Sequence, residues 1–239
     1  DDAATYLVVA DVARGDGADY SVFHVIKLET MEVIGEYQGK ATLEQFASIL
    51  DSTGREFGGA MLVVENNSLG ISILEKLQDR LYPNLYFSIK GTHEYISEAQ
   101  AESIANAVPG FTTSSKTRPL IIAKMEEFVR NQLITLYSSR IIGEFKTFIW
   151  NNNRAQAMRS YNDDLVIALA IACWVKDTAL TVNLREMEYK KAMVSSIAVS
   201  SNNFQTTIPG MTGHNTGQLS KEAKEIRQQY KDFVWLVKG

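Results

Sequence analysis

Thiols, imidazoles and positive charge are all scarce in this chain of 239 residues. The single cysteine, Cys173, excludes a disulfide within one chain and points to an intracellular setting. It lies in an apolar, helix-like run and reads as a small buried hydrophobe. The three histidines, His24, His93 and His214, are far apart in sequence and form no cluster of the kind zinc favours. No serine or cysteine sits in a nucleophile motif, so any hydrolysis here uses water as the attacking group. No apolar run reaches the roughly 20 residues of a bilayer-spanning helix, and membrane association is not expected. A Gly-x-x-x-x-Gly-Lys-Ser/Thr phosphate loop is absent, which excludes a P-loop motor. Gly15-x-Gly17 precedes a strand-like segment rather than a helix, which rules out a dinucleotide fingerprint. The start at Asp1, without methionine or leader, reads as a piece of a longer polypeptide.

The formal net charge is −4. Residues 183–239 hold 8 Lys and Arg against 5 Asp and Glu, leaving 16 against 23 in residues 1–182. This balance argues against tight non-specific wrapping of nucleic acid. It leaves open a local basic face, because the local field is what phosphates meet.

With 45% apolar residues the chain can bury a substantial core, and strand-period and helix-period segments alternate, which favours an α/β fold. Residues 6–10 and 60–64 read as buried strands, and residues 20–28 and 31–37 as an antiparallel hairpin. Thr42 is placed to cap a helix bearing Leu43, Phe46, Ala47 and Leu50 at helical spacing. Asn66-Asn67-Ser68 forms a polar turn before a second helix with Ile73, Leu74, Leu77 and Leu81 on one face. Residues 85–89 read as a short strand, and 90–116 as a long, polar, functional loop. A helix is predicted over 118–131, a strand or edge piece over 132–137, a helical turn or short strand over 141–145, and a strand over 147–150. A polar loop over 151–162 then leads to a helix over 164–176 that is apolar on all sides. Residues 183–199 and 220–238 read as charged helices, separated by a linker-like stretch over 200–218.

Three acidic positions stand out. Asp11 closes the first apolar strand, Glu65 closes the second, and Asp163-Asp164 opens the apolar helix. Singly, Asp11 is a turn former and Asp163-Asp164 a helix cap, whereas a carboxylate ending a buried strand, as Glu65 does, risks burial. Gathered together, such carboxylates repel unless a cation lies between them. That pattern points to a divalent-metal site acting on phosphate esters. All-oxygen ligands suit Mg²⁺ or Mn²⁺.

The hairpin after the first acid, the second acid ending a central strand and the third at a helix start form a ribonuclease H-like pattern. The words Asp11-Val12-Ala13-Arg14-Gly15-Asp16-Gly17-Ala18-Asp19-Tyr20-Ser21, Val64-Glu65-Asn66-Asn67 and Tyr161-Asn162-Asp163-Asp164-Leu165-Val166-Ile167-Ala168 narrow it. Together they resemble the nuclease domain of the large terminase subunit of tailed bacteriophages, T-even-like phages above all. The resemblance implies an α/β ribonuclease H-like fold: a mixed central sheet with an antiparallel hairpin, flanked by helices and followed by a helical tail. It makes residues 1–180 the nuclease domain and residues 181–239 a C-terminal helical or linker extension. It implies a metal-dependent endonuclease that cuts concatemeric viral DNA during genome packaging in the host cytoplasm. Its partners would be double-stranded DNA, the portal protein, the terminase ATPase domain and the small terminase subunit.

Carried over by position, Asp11 and Glu65 match the first two catalytic, metal-binding acids, and Asp163-Asp164 contains the third. Which of the two aspartates is the closer ligand stays open. Asp19 matches an auxiliary acid, with Asp16 the other candidate. Two Mg²⁺ or Mn²⁺ ions are the implied cofactors, with Asp11 bridging them. DNA contacts are expected from Arg14, Lys90, Lys116, Arg118, Lys124, Arg154 and Arg159, with Arg14 foremost because it leaves the same turn as Asp11. Two alternatives share these residues: a junction resolvase or transposase-like enzyme on the same fold, and a non-catalytic module that docks on the portal.

Overall fold

The computed structural model describes residues 4–13, 20–91, 95–151 and 154–180. The strands are β1 (Tyr6–Asp11), β2 (Ser21–Lys27), β3 (Glu32–Gly39), β4 (Met61–Val64), β5 (Phe87–Ile89), β6 (Tyr95–Ile96), β7 (Ala107–Pro109), β8 (Phe148–Asn151) and β9 (Arg154–Ala157). The helices are α1 (Leu43–Glu56), α2 (Ser68–Asp79), α3 (Glu98–Ala101), α4 (Thr117–Arg130), α5 (Ser139–Thr147) and α6 (Asp164–Val175), the last running into a π-helical turn, Lys176–Leu180.

The central sheet has the order β3-β2-β1-β4. β1, β2 and β3 form an antiparallel meander, and β4 adds to β1 in parallel from Leu7↔Met61 to Ala10↔Val64. Alternation along each strand sends successive side chains to opposite faces. On one face Leu7, Val9, Val22, Ile26, Met61 and Val63 pack with residues of α4, α5 and α6. On the other, Val8, Ala10, Phe23, Val25, Leu62 and Val64 pack with Phe46, Ala47 and Leu50 of α1 and Ile73, Leu74 and Leu77 of α2. The sheet is therefore a middle layer with helices on both sides, the usual way to bury two apolar faces.

Helix starts follow local chemistry. Thr42 caps α1 in a reciprocal capping box with Gln45. Asn67 caps α2 by accepting from the backbone N–H groups of Leu69 and Gly70. α6 is buried continuously from Leu165 to Cys173, which explains its lack of a polar stripe: β1 and β2, α4 and α5 close around it.

Several sequence expectations are corrected. The stretch 90–116 is not a structureless loop; β6 and β7 flank β5 in a second, three-stranded sheet, with strands too short to reveal a two-residue period. The polar stretch after Trp150 contains β9, which pairs with β8 as a hairpin. Residues 132–137 form no strand; Thr135 makes one isolated bridge to Glu32. Residues 141–145 belong to a full helix, α5. The predicted helices over 183–199 and 220–238 lie outside the described residues.

Truncating a side chain in the all-round buried helix should be costly. Leu169→Ala, at a site with no exposure, is expected to lower unfolding free energy by about 2–5 kcal/mol. Leu120→Ala, half exposed on α4, should change it by less than about 0.5 kcal/mol. Urea titration of the two variants checks the contrast.

Candidate active site

Strand alternation puts Asp11 on the same face as Leu7 and Val9, and Glu65 on the same face as Met61 and Val63. The parallel register sets them side by side: Ala10 pairs with Val64, and the Glu65 amide donates to the Ala10 carbonyl at 3.0 Å. Both carboxylates therefore lie where the sheet face carrying α6 runs out. The Glu65 side chain accepts from Asn67 Nδ2 at 3.0 Å, so the residue that caps α2 also orients the acid. The turn after Glu65 is tight. A Cβ at Gly70 would sit 1.7 Å from the Glu65 carbonyl oxygen, and one at Gly110, with φ +79°, would meet the Val64 carbonyl at 2.5 Å. Glycine is required at both positions for the backbone to close around the acid.

The third corner is the start of α6, where Asp163 and Asp164 take different partners. Asp163 Oδ2 accepts from Arg118 Nη2 at 2.6 Å. It stands at the helix N-cap position, but its side chain makes no capping hydrogen bond. Asp164 lies close enough to Asp11 to act on it electrostatically. Its Oδ2 accepts from the Tyr20 amide at 3.2 Å and from Asn162 Nδ2 at 3.4 Å. Glu144 of α5 performs the capping that sequence reading gives to the Asp163-Asp164 pair: its Oε2 accepts from the Val166 amide at 3.2 Å, while its Oε1 accepts from Gln38 Nε2 at 3.3 Å. His24 adds a second anchor. It is fully buried, and because a carbonyl only accepts, its Nε2 donates to the Leu165 carbonyl at 3.0 Å.

The electrostatics are those of crowded anions. Burial lifts the Asp11 carboxyl well above its usual range, the charge of Glu65 and a hydrogen bond with it lift it further, and Asp164 adds to the effect. Burial likewise raises Glu144 to about 7, with Asp164 and Asp163 contributing. Among the described residues, no three Asp, Glu, His or Cys side chains close to metal-coordination geometry. The donor set nevertheless fits a hard divalent cation: Asp11 and Glu65 offer only carboxylate oxygens, share a hydrogen bond in place of their mutual repulsion, and have Asp164 beside them.

The predicted cations separate. A cleft of about 540 Å³ opens beside Glu65, lined by Arg118 and Arg154, the hydroxyl residues Thr113, Ser114 and Ser115, and Trp150. Lys116 is exposed at the start of α4, Lys90 is exposed at the end of β5, and Arg159 is exposed after β9. None of these three lines the cleft. Lys124 is paired with Glu127 and Asp177, both at 2.8 Å, so local carboxylates neutralise its charge. Arg14, Asp16, Asp19 and His93 lie outside the described residues. Sequence reading missed Glu144, Gln38 and Trp150, none of which belongs to a motif; only their positions in space mark them.

No protein-family model matches the chain. Among solved structures, the large terminase nuclease from thermophilic phage G20c, with magnesium bound, aligns over 72% of this chain and 81% of its own at 20% identity, with a TM-score of 0.56. The same protein with cobalt bound aligns equally well. The large terminase nuclease domain of Thermus phage P74-26 aligns over 71% of this chain and 78% of its own, at 20% identity and a TM-score of 0.53. The fold is that of the large terminase nucleases. The ribonuclease H-like architecture expected from the sequence is therefore present: a mixed sheet with an antiparallel hairpin, packed between helices.

Glu144 provides a test of this electrostatic arrangement. Its carboxyl is raised from 4.5 to about 7, so the folded state holds a proton that the unfolded state releases. The stability it contributes is full below about pH 4.5 and is lost as pH rises towards 7. Glu144→Gln, which keeps an acceptor for Val166, should flatten the fall in metal-free melting temperature over that window. Glu144→Ala removes the cap and should cost about 0.5–2 kcal/mol. Thermal melts of the three proteins across pH check both outcomes.

Proposed function

We propose that this chain is the nuclease part of a large terminase: a metal-dependent endonuclease that cuts concatemeric viral DNA during packaging. The observation that carries the reading is the hydrogen-bonded Asp11–Glu65 carboxyl pair at the ends of adjacent parallel strands, with Asp164 in electrostatic reach. The terminase-nuclease fold supports it. Residues 1–180 form the nuclease domain in this reading and residues 181–239 an extension. Double-stranded DNA is the substrate, and the ATPase domain, the portal and the small subunit are the partners, in the host cytoplasm.

Asp11, Glu65 and Asp164 are the residues that would hold Mg²⁺ or Mn²⁺ in this reading. When bound, a pair of such ions supplies an activated water and stabilises the departing 3′ oxygen. The chain's own residues supply position. Asn67 fixes the Glu65 carboxylate, and Glu144 and His24 hold the first turn of α6 so that Asp164 stays on the Asp11 side. Arg118 occupies Asp163, and in this reading Asp163 is a positioning contact and Asp164 the ligand. Arg154 and the hydroxyls of Thr113, Ser114 and Ser115 give the cleft beside Glu65 phosphate-binding character.

Asp11→Asn should reduce cleavage of linear duplex DNA in Mg²⁺ or Mn²⁺ on the order of a thousandfold. In the absence of metal it should leave stability unchanged or raise it near neutral pH, since a buried carboxyl that is costly to ionise is removed. Metal at about 100 times its Kd should stabilise the wild type by about 2.7 kcal/mol and the variant far less. Near-normal cutting by Asp11→Asn would refute the assignment. Cutting confined to branched DNA would favour the resolvase reading.

Gly70→Ala is a second check. The added methyl meets the Glu65 carbonyl oxygen, so cleavage should fall at least tenfold, on the order of 1.4 kcal/mol in the barrier, while metal-free stability drops by about 1–3 kcal/mol. Turnover and melting of the purified variant test both.

A further inference from the structure

Trp150 is a large aromatic left 60% exposed on β8, and the nuclease reading gives it no task. It stands in the wall of the cleft that also holds Glu65, Arg118 and Arg154. It is also coupled to the acid site through a short chain of contacts. Trp150 pairs across the hairpin with Ala155. The Ala155 carbonyl accepts from Arg118 Nε and Nη2 at 3.3 and 3.4 Å, and the same Nη2 holds Asp163 at 2.6 Å. One guanidinium therefore fixes the hairpin at a set position beside the start of α6.

The lining has the composition of a single-strand channel: cations for the backbone, hydroxyls for phosphate oxygens, and an exposed π-face for a base. In a closed duplex the bases already stack on one another, and an aromatic wall residue gains little. The cleft volume, about 540 Å³, falls in the range of small-ligand sites and is large enough for a strand segment. We infer that the cleft between α4 and the β8–β9 hairpin binds a locally unpaired DNA strand next to the cut phosphate, with the Trp150 indole stacked on one of its bases. The inference rests on the nuclease reading for its substrate and adds that the strand is unpaired where it enters. Trp150 also borders a smaller apolar groove with Phe145, Phe148 and Val129; docking of a protein there is the competing use of the same side chain.

The test uses the full chain without divalent metal, with an oligothymidine single strand and a blunt hairpin duplex as probes. Binding is read by anisotropy of labelled DNA and by tryptophan fluorescence. The chain has three tryptophans, so the quench lost in Trp150→Phe isolates the one at issue. Trp150→Ala is expected to weaken single-strand binding on the order of tenfold and to leave duplex binding within about twofold. Trp150→Phe should retain the single-strand affinity. Equal losses on both probes would overturn strand selectivity. Unchanged binding of both would overturn the stacking role and assign Trp150 to the apolar groove. Binding of neither probe by the wild type would overturn the channel outright. Parallel cleavage assays in Mn²⁺ keep the two readings apart. Cutting that is indifferent to Trp150→Ala sinks this inference alone, whereas Trp150-dependent binding without any cutting sinks the nuclease reading and leaves the channel.

Discussion

Two carboxylates held together in a desolvated corner must share either a proton or a cation, and the architecture around Asp11 and Glu65 follows from that constraint. The parallel register of β1 and β4 brings them side by side. Burial and mutual repulsion push the Asp11 carboxyl up, and the pair relaxes by sharing a hydrogen bond. Such an arrangement is unfavourable for folding by itself, and the rest of the domain must supply the stability that offsets it. Two layers of helix packed on a fully buried sheet do so.

The start of α6 shows how neighbouring identical residues acquire different roles. Asp163 and Asp164 differ in sequence by one position, which on a helix is a rotation of about 100°. Arg118 takes the first, and the second faces Asp11. A helix beginning with two acids ordinarily satisfies its free amides with one of them. Here Glu144, from a different helix, accepts from Val166 instead, and both aspartates are released from capping. The arrangement concentrates four carboxylates near one helix end, where the positive end of the helix dipole partly offsets them.

The same guanidinium that holds Asp163 also holds the β8–β9 hairpin through Ala155. A displacement of the hairpin would therefore act on the α6 terminus, and a change at the acid site would act on the hairpin. Contacts of this sort give the cleft wall and the acid cluster a common frame, which a proposed nuclease needs if the strand and the cutting groups are to meet.

Much of this was legible in the chain itself. Alternating and continuous apolar runs marked the sheet strands and α6, and Thr42 announced a helix start, because period and capping are local properties. The carboxylates at Asp11, Glu65 and Asp163-Asp164 stood out for a similar reason: each ends or begins an apolar element. The strands β6, β7 and β9 were not legible, since two to four residues carry no period and their pairing is fixed by partners distant in sequence. Nor were the capping role of Glu144, the different partners of Asp163 and Asp164, or the place of Trp150 in the same cleft wall as Arg154. Sequence determined which segments had to be buried and where charge would be stranded at their ends. Only the tertiary structure decided which charges met, because the forces between them fall off with distance in space, and separation along the chain says nothing about that distance.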